Sequence, residues 1–176
     1  MYQVGDKVVY PHHGAGTVVK KEKREVLGEQ REYLTIQILH NDMTVQVPSE
    51  NCEKVGLRRV IGDKEINPVL KALTGISTEM PKNWNRRFKH NRDKMKTGDI
   101  FELAEVVMNL SLRDHEKGLS TAEKQMFVKA KKILASELMY AKQMDEDQAA
   151  AWLDEVLAGT GNGKKRAVKP KVGAAV

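Results

Sequence analysis

The segment "PKNWNRRFKHNRDK", residues 81–94, sets Trp84 among arginines and lysines. Guanidinium and ammonium groups at this density suit phosphate oxygens, and an indole beside them offers a flat apolar surface. Residues 82–96 carry seven basic side chains against one acidic, a net +6 that equals the charge of the whole 176-residue chain. A second basic run, five residues with no acid, falls in residues 161–176. Clustered positive charge is the electrostatic footprint of a polyanion binder, most often of nucleic acid, and a solvated helix face is the plain alternative. By residue type alone, Trp84 on a stripe with Phe88 reads as core more readily than as a probe.

Other chemistry is sparse. "HGAG" and "GTGNG" lack the strand-to-helix setting and the lysine of a phosphate loop. His12 and His13 are adjacent, so on an extended strand their rings would point to opposite faces. No nearby cysteine or acid completes a metal site there, and they read as turn histidines. The single Cys52 excludes an internal disulfide and reads as a small buried thiol in a reducing, intracellular setting. No apolar run approaches the ~20 residues that span a bilayer. The N-terminus lacks the basic region and apolar stretch of a leader. The pattern points to a cytoplasmic protein that is not an enzyme, with no cofactor, metal, small-molecule substrate or membrane partner.

The elements that must position Trp84 and its neighbours follow from periodicity. The chain reads as α+β in two domains. Residues 1–56 alternate as short β-rich runs, "KVVY", "TVVKKEKREV", "REYLTIQIL" and "MTVQVP", separated by turn chemistry that includes Asn41-Asp42. Four or five such strands bury a shared face by curling up, which predicts a small SH3-like or Tudor-like antiparallel barrel. Residues 57–66 read as a linker. Residues 67–158 read as an all-α bundle of about five helices. Asn67 caps the first with Pro68 at its first position, and Trp84, Phe88 and Met95 share a face of the second. The third opens with Asp99 and Glu102 in capping-box spacing and the fourth with Ser120 and Glu123. Asp145 caps the last, where Trp152 reads as packing. Residues 159–176 form a basic tail without apolar period, expected to be disordered; such tails either add loose phosphate contacts or are inert.

The ordered series "GDKVVYPHHGAGTV", "LGEQREYLTIQI", "MTVQVPSENCEKVGLR", "NWNRRFK" and "GLSTAEKQMFVKAKKIL" resembles the CarD/CdnL family of bacterial transcription factors over roughly residues 1–158. The resemblance implies a Tudor-like N-terminal domain, similar to that of the transcription-repair coupling factor, which binds the β subunit of RNA polymerase. It also implies a helical domain that contacts promoter DNA with weak sequence specificity. The implied activity is stabilisation of the open promoter complex, notably at ribosomal RNA promoters, by a monomer that meets the nucleoid through polymerase.

Carried across by motif, the polymerase-facing arginine matches Arg24. A second such arginine falls on Gln46, a departure that turns a charge-assisted contact into a neutral one. The DNA-facing tryptophan matches Trp84, followed by Arg86, Arg87 and Lys89, with Arg113 and Lys124 as further DNA contacts. On this reading Trp84 is an apolar wedge for an unstacked base step. The rival reading is a general nucleic-acid module whose barrel grips RNA, and the near-neutral charge of residues 1–60 argues against it.

Overall fold

A computed structural model describes residues 1–75 and 80–161. Five strands come first: β1 (Lys7–Tyr10), β2 (Gly14–Val26), β3 (Glu29–Ile38), β4 (Thr44–Pro48) and β5 (Arg58–Arg59). Five helices follow: α1 (Asp63–Thr74), α2 (Trp84–Lys96), α3 (Ile100–Glu116), α4 (Thr121–Ala141) and α5 (Glu146–Gly161). The expected tail lies beyond α5, and its residues 162–176 are outside the described residues.

The strands pair antiparallel in the order β4-β3-β2-β1-β5. Two residues turn β2 into β3, Leu27 and Gly28, both at positive φ (52° and 78°), the twist that a two-residue hairpin favours. Strand alternation then puts Val18, Leu34, Ile36, Ile38 and Val47 on one face in a buried cluster with Val8. The sheet is open, not the closed barrel expected from strand count. Closure would need β4 to pair with β5, and β5 is two residues long and pairs only with β1. Cys52 and Leu57, reached through a 3₁₀ turn at Ser49–Asn51, complete the apolar cluster instead.

The helices bury a second cluster around α3, whose Leu103, Val106, Val107 and Leu110 are all interior. Asp99 accepts from the N–H groups of Phe101 and Glu102, the N-cap half of the capping box its spacing predicts, while its own N–H donates to Thr97 Oγ1 at 3.2 Å; Asp145 caps α5 as expected, with Gln148 as its reciprocal partner. Helix α1 departs from expectation by opening at Asp63, four residues before Asn67, so the segment read as a linker contains β5 and the start of this helix. The Glu65 carboxylate accepts from Gly62 N–H at 3.0 Å and fixes the earlier start. Pro68 is therefore inside the helix. It forfeits one hydrogen bond near Lys64, which is exposed to water.

Sheet and helices are bolted together through α4. Arg58 of β5 donates to both carboxylate oxygens of buried Glu137, and its Nε donates to Gly98 O at 2.7 Å. The Ala15 amide donates to Ser136 Oγ at 3.0 Å. A Cβ on Gly14 would come within 2.9 Å of that oxygen, and the φ of +101° there also demands glycine.

The turn after β1 adds a titratable joint. Lys129 Nζ donates to His12 Nε2 at 2.9 Å, so His12 must be neutral to accept. Burial, and then the charges of Lys129, His13 and Lys96, hold the His12 pKa below its ordinary 6.5. Burial, Lys129 and His40 lower His13 likewise. A depressed histidine pKa means that the unfolded chain takes up protons first as pH falls. The stability this joint supplies is complete above 6.5 and is lost as pH drops through the folded values. Melting temperature should fall between about pH 7 and pH 5. His12→Asn, which tolerates the positive φ of 69°, should reduce that fall; an identical fall would show that His12 does not titrate with unfolding.

Candidate functional site

Helix α2 starts where it does because the Asn83 side chain accepts from the Arg86 N–H at 3.2 Å. That cap places Trp84 on the first helical residue. Its ring stacks on Phe88 one turn later, 5.3 Å between centroids and 15° from parallel. Its Nε1–H donates to Ser120 Oγ at 3.1 Å, and the same oxygen caps α4 by accepting from Glu123 N–H at 3.2 Å. The indole nevertheless remains 41% exposed. It is neither a core residue nor a free probe: one ring contact and one hydrogen bond hold a large apolar surface at the junction of two helix starts.

Beneath it lies a buried ion pair. Arg87 Nε and Nη2 donate to Glu123 Oε1 at 2.9 and 2.8 Å, with both side chains below 5% exposure. Arg87 Nη1 donates to the Lys82 carbonyl at 3.2 Å. Arg87 is thereby removed from the phosphate-binding set that sequence suggested. Its position three residues after Trp84 rotates it inward, and its donors are spent on protein oxygens. Glu123, expected to reach back to the α4 start as half of a capping box, turns inward to meet it.

Arg86, Lys89 and Lys124 are exposed. Arg113, at the end of α3, is partly exposed with Nε 3.7 Å from Glu123 Oε2. Glu123 therefore draws Arg87 of α2 and Arg113 of α3 to the first turn of α4. Arg86 stands in the first turn of α2 and Lys89 in the second, Lys124 in the first turn of α4, and Arg113 in the last turn of α3.

The other two site residues meet on the sheet. The face of β2, β3 and β4 opposite the apolar cluster carries Lys20, Glu22 and Arg24, then Arg31 and Tyr33, then Thr44 and Gln46, with buried Thr35 between the strands. Arg24 Nη1 donates to Gln46 Oε1 at 3.1 Å, its Nη2 contacts Glu22, and its guanidinium lies 5.6 Å from the Tyr33 ring centroid. Glutamine at position 46 thus gives Arg24 an internal partner where a second arginine would repel it.

Sequence reasoning missed two residues here. Leu27 at the tip of the β2–β3 hairpin is 96% exposed, an apolar side chain beside the Arg24 face; its place in a two-residue turn was the available signal. Ser120 orients Trp84, which only the tertiary structure could show. Among the described residues no three His, Cys, Asp or Glu side chains group as a metal site, and no helix is long and apolar enough to cross a membrane.

An antiparallel sheet unit docked on a helical unit thus carries an arginine-bearing face on the one and an exposed indole held between two helix starts on the other. Comparison with known proteins gives the class. Residues 2–61 match the CarD-like/TRCF RID domain family, a polymerase-interacting domain, and residues 68–154 match the CarD, C-terminal domain family. The chain is 36% identical over 148 residues to the Bacillus subtilis (strain 168) protein named "Putative transcription factor YdeB", covering 84% of this chain and 97% of that one. It is also 30% identical to the 72-residue N-terminal domain of Myxococcus xanthus CarD, known from a solution NMR structure. That match covers 34% of this chain and 79% of the domain, with a TM-score of 0.30. The chain belongs to the CarD/CdnL family of transcription factors, and RNA polymerase is the partner that its first domain family defines.

Proposed function

We propose that the sheet unit, which runs through β5, binds the β subunit of RNA polymerase through the face around Arg24 and Gln46. The helical unit, α1 to α5, binds promoter DNA at the upstream edge of the transcription bubble. Trp84 is the wedge, and Arg86, Lys89, Arg113 and Lys124 contact phosphates. The result is a more stable open complex, including at ribosomal RNA promoters. The observation that carries this reading is the half-exposed indole held on Phe88 and Ser120. An exposed apolar ring gains free energy when a partner surface covers it, and a base exposed by melting is such a surface. Tethering through the sheet raises the local concentration of the helical unit at the bubble, so weak DNA affinity and weak sequence preference suffice. The protein acts as a cytoplasmic monomer that reaches the nucleoid through polymerase.

Arg24→Glu tests the tether. Losing a charged hydrogen bond across an interface costs about 1.5–3 kcal/mol, about ten- to a hundredfold in affinity. Retention of polymerase β subunit by the variant should drop by that factor, with DNA binding unchanged. Undiminished retention would remove Arg24 from the interface. Gln46→Arg should strengthen retention where the partner presents an acid, because the new charge also displaces Arg24 from its internal partner.

A further inference from the structure

Along helix α4 runs a row of side chains of which the proposed function uses only the first two, Ser120 and Lys124. Ser120, Lys124, Val128 and Lys132 succeed one another at four-residue steps and form a ridge that winds along the helix. Beside the ridge runs an open groove of about 540 Å³ lined by Lys124, Val128, Lys129 and Lys132 of α4 and by His40 and Asn41 from the turn after β3. No acid lines it. The Lys124 and Lys132 side chains make no hydrogen bond or ion pair among the described residues, and Lys129 meets only a neutral imidazole. The next lysine on the helix is treated differently: Lys131 lies 3.4 Å from Asp154 and over the Phe127 ring. Three uncompensated ammonium groups within about two turns repel one another, a cost that a line of bound anions would reverse.

Two features select the anion. The ridge begins at Ser120, the residue that holds the Trp84 indole, so a strand leaving the wedge starts on it. From Lys124 to Lys132 the helix rises about 12 Å, the length of about three to four base-pair steps at 3.4 Å each. We propose that this groove is a second DNA site, which takes the phosphate backbone of the duplex upstream of the melted step and runs it along α4 towards His40 and Asn41. The inference rests on the reading of Trp84 as the wedge and extends the contact beyond it, from a single step to a track.

The test uses the full chain and fork DNA, one end unpaired, with a duplex arm either too short to reach Lys132 or long enough to pass it. Wild type should bind the long arm more tightly and with a steeper salt dependence. Lys129→Gln/Lys132→Gln should bind both arms with the short-arm affinity. Its log-affinity against log-salt slope on the long arm should be shallower by about 1.8, so a fourfold rise in salt costs it about twelvefold less affinity than it costs wild type. Lys132→Gln alone, at an exposed position without a partner, should shallow the slope by about 0.9, Lys132→Arg should keep it, and Lys131→Gln should leave it unchanged. A wild-type slope in the Lys132 variants overturns the track and leaves the wedge standing. Equal losses on short and long arms also overturn it, as does preference for an acidic peptide or single-stranded RNA over the long arm. Failure of wild type to bind either fork overturns the wedge and the track together.

Discussion

Glu123→Ala should lower stability by about 3–5 kcal/mol, because it leaves the Arg87 guanidinium buried beside an empty site. For a chain of this size that is a fall in melting temperature of about 6–20 °C. Arg87 is only 3% exposed and cannot swing out to water without opening the start of α2. The consequence for function has a sign that separates two accounts. If Glu123 mattered only as a negative charge near DNA, its removal would strengthen binding. Because it ties α2, α3 and α4 together under Trp84, removal should weaken binding instead. Replacing both partners by methionine should restore most of the stability, since a well-packed apolar pair avoids the desolvation that the ion pair carries. Restored stability without restored DNA affinity would assign the pair to positioning.

Trp84→Ala has the second large effect, and here fold and function should separate. The variant loses the covered part of the indole's apolar area, the stacking on Phe88 worth about 0.5–1.5 kcal/mol beyond that area, and one exposed hydrogen bond to Ser120 worth about 0.5–1.5 kcal/mol. Because 41% of the residue already faces water, the loss should stay below the ~3–5 kcal/mol of a fully buried tryptophan, and the variant should still fold. Against melted DNA it forfeits about 1–3 kcal/mol of base stacking, a five- to hundredfold change in the opening equilibrium. Trp84→Phe keeps a ring over Phe88 and should retain part of the effect on opening.

Much of this was legible in the chain. Alternation in "REYLTIQIL", the capping pairs at Asp99 and Ser120, and the glycines closing α2 and α3 mark elements through short-range chemistry, which is written in adjacent residues. Arg24 and Gln46, which the motifs single out 22 positions apart, are hydrogen-bonded neighbours. What stayed hidden depends on contacts between distant residues. The inward turn of Arg87 is decided by an acid 36 positions away, and a basic run gives no sign of which member will find such a partner. The early start of α1 depends on one Glu65 hydrogen bond that outweighs the strong punctuation of Asn67-Pro68. The open sheet follows from how short β5 is, and a strand of two residues has no periodicity to detect. The groove on α4 needs the turn after β3 as its second wall, so its lysines look in sequence like an ordinary solvated face.

On the proposed function one chain links polymerase to melting DNA through two separate surfaces. The most direct test of that link is the half-life of competitor-challenged open complexes at a ribosomal RNA promoter, with wild type, Arg24→Glu and Trp84→Ala each added in excess. Wild type should lengthen the half-life, and each single variant should return it towards that of polymerase alone, the first by losing the tether and the second by losing the wedge. A folded Trp84→Ala protein that prolongs the open complex as well as wild type does would contradict the account.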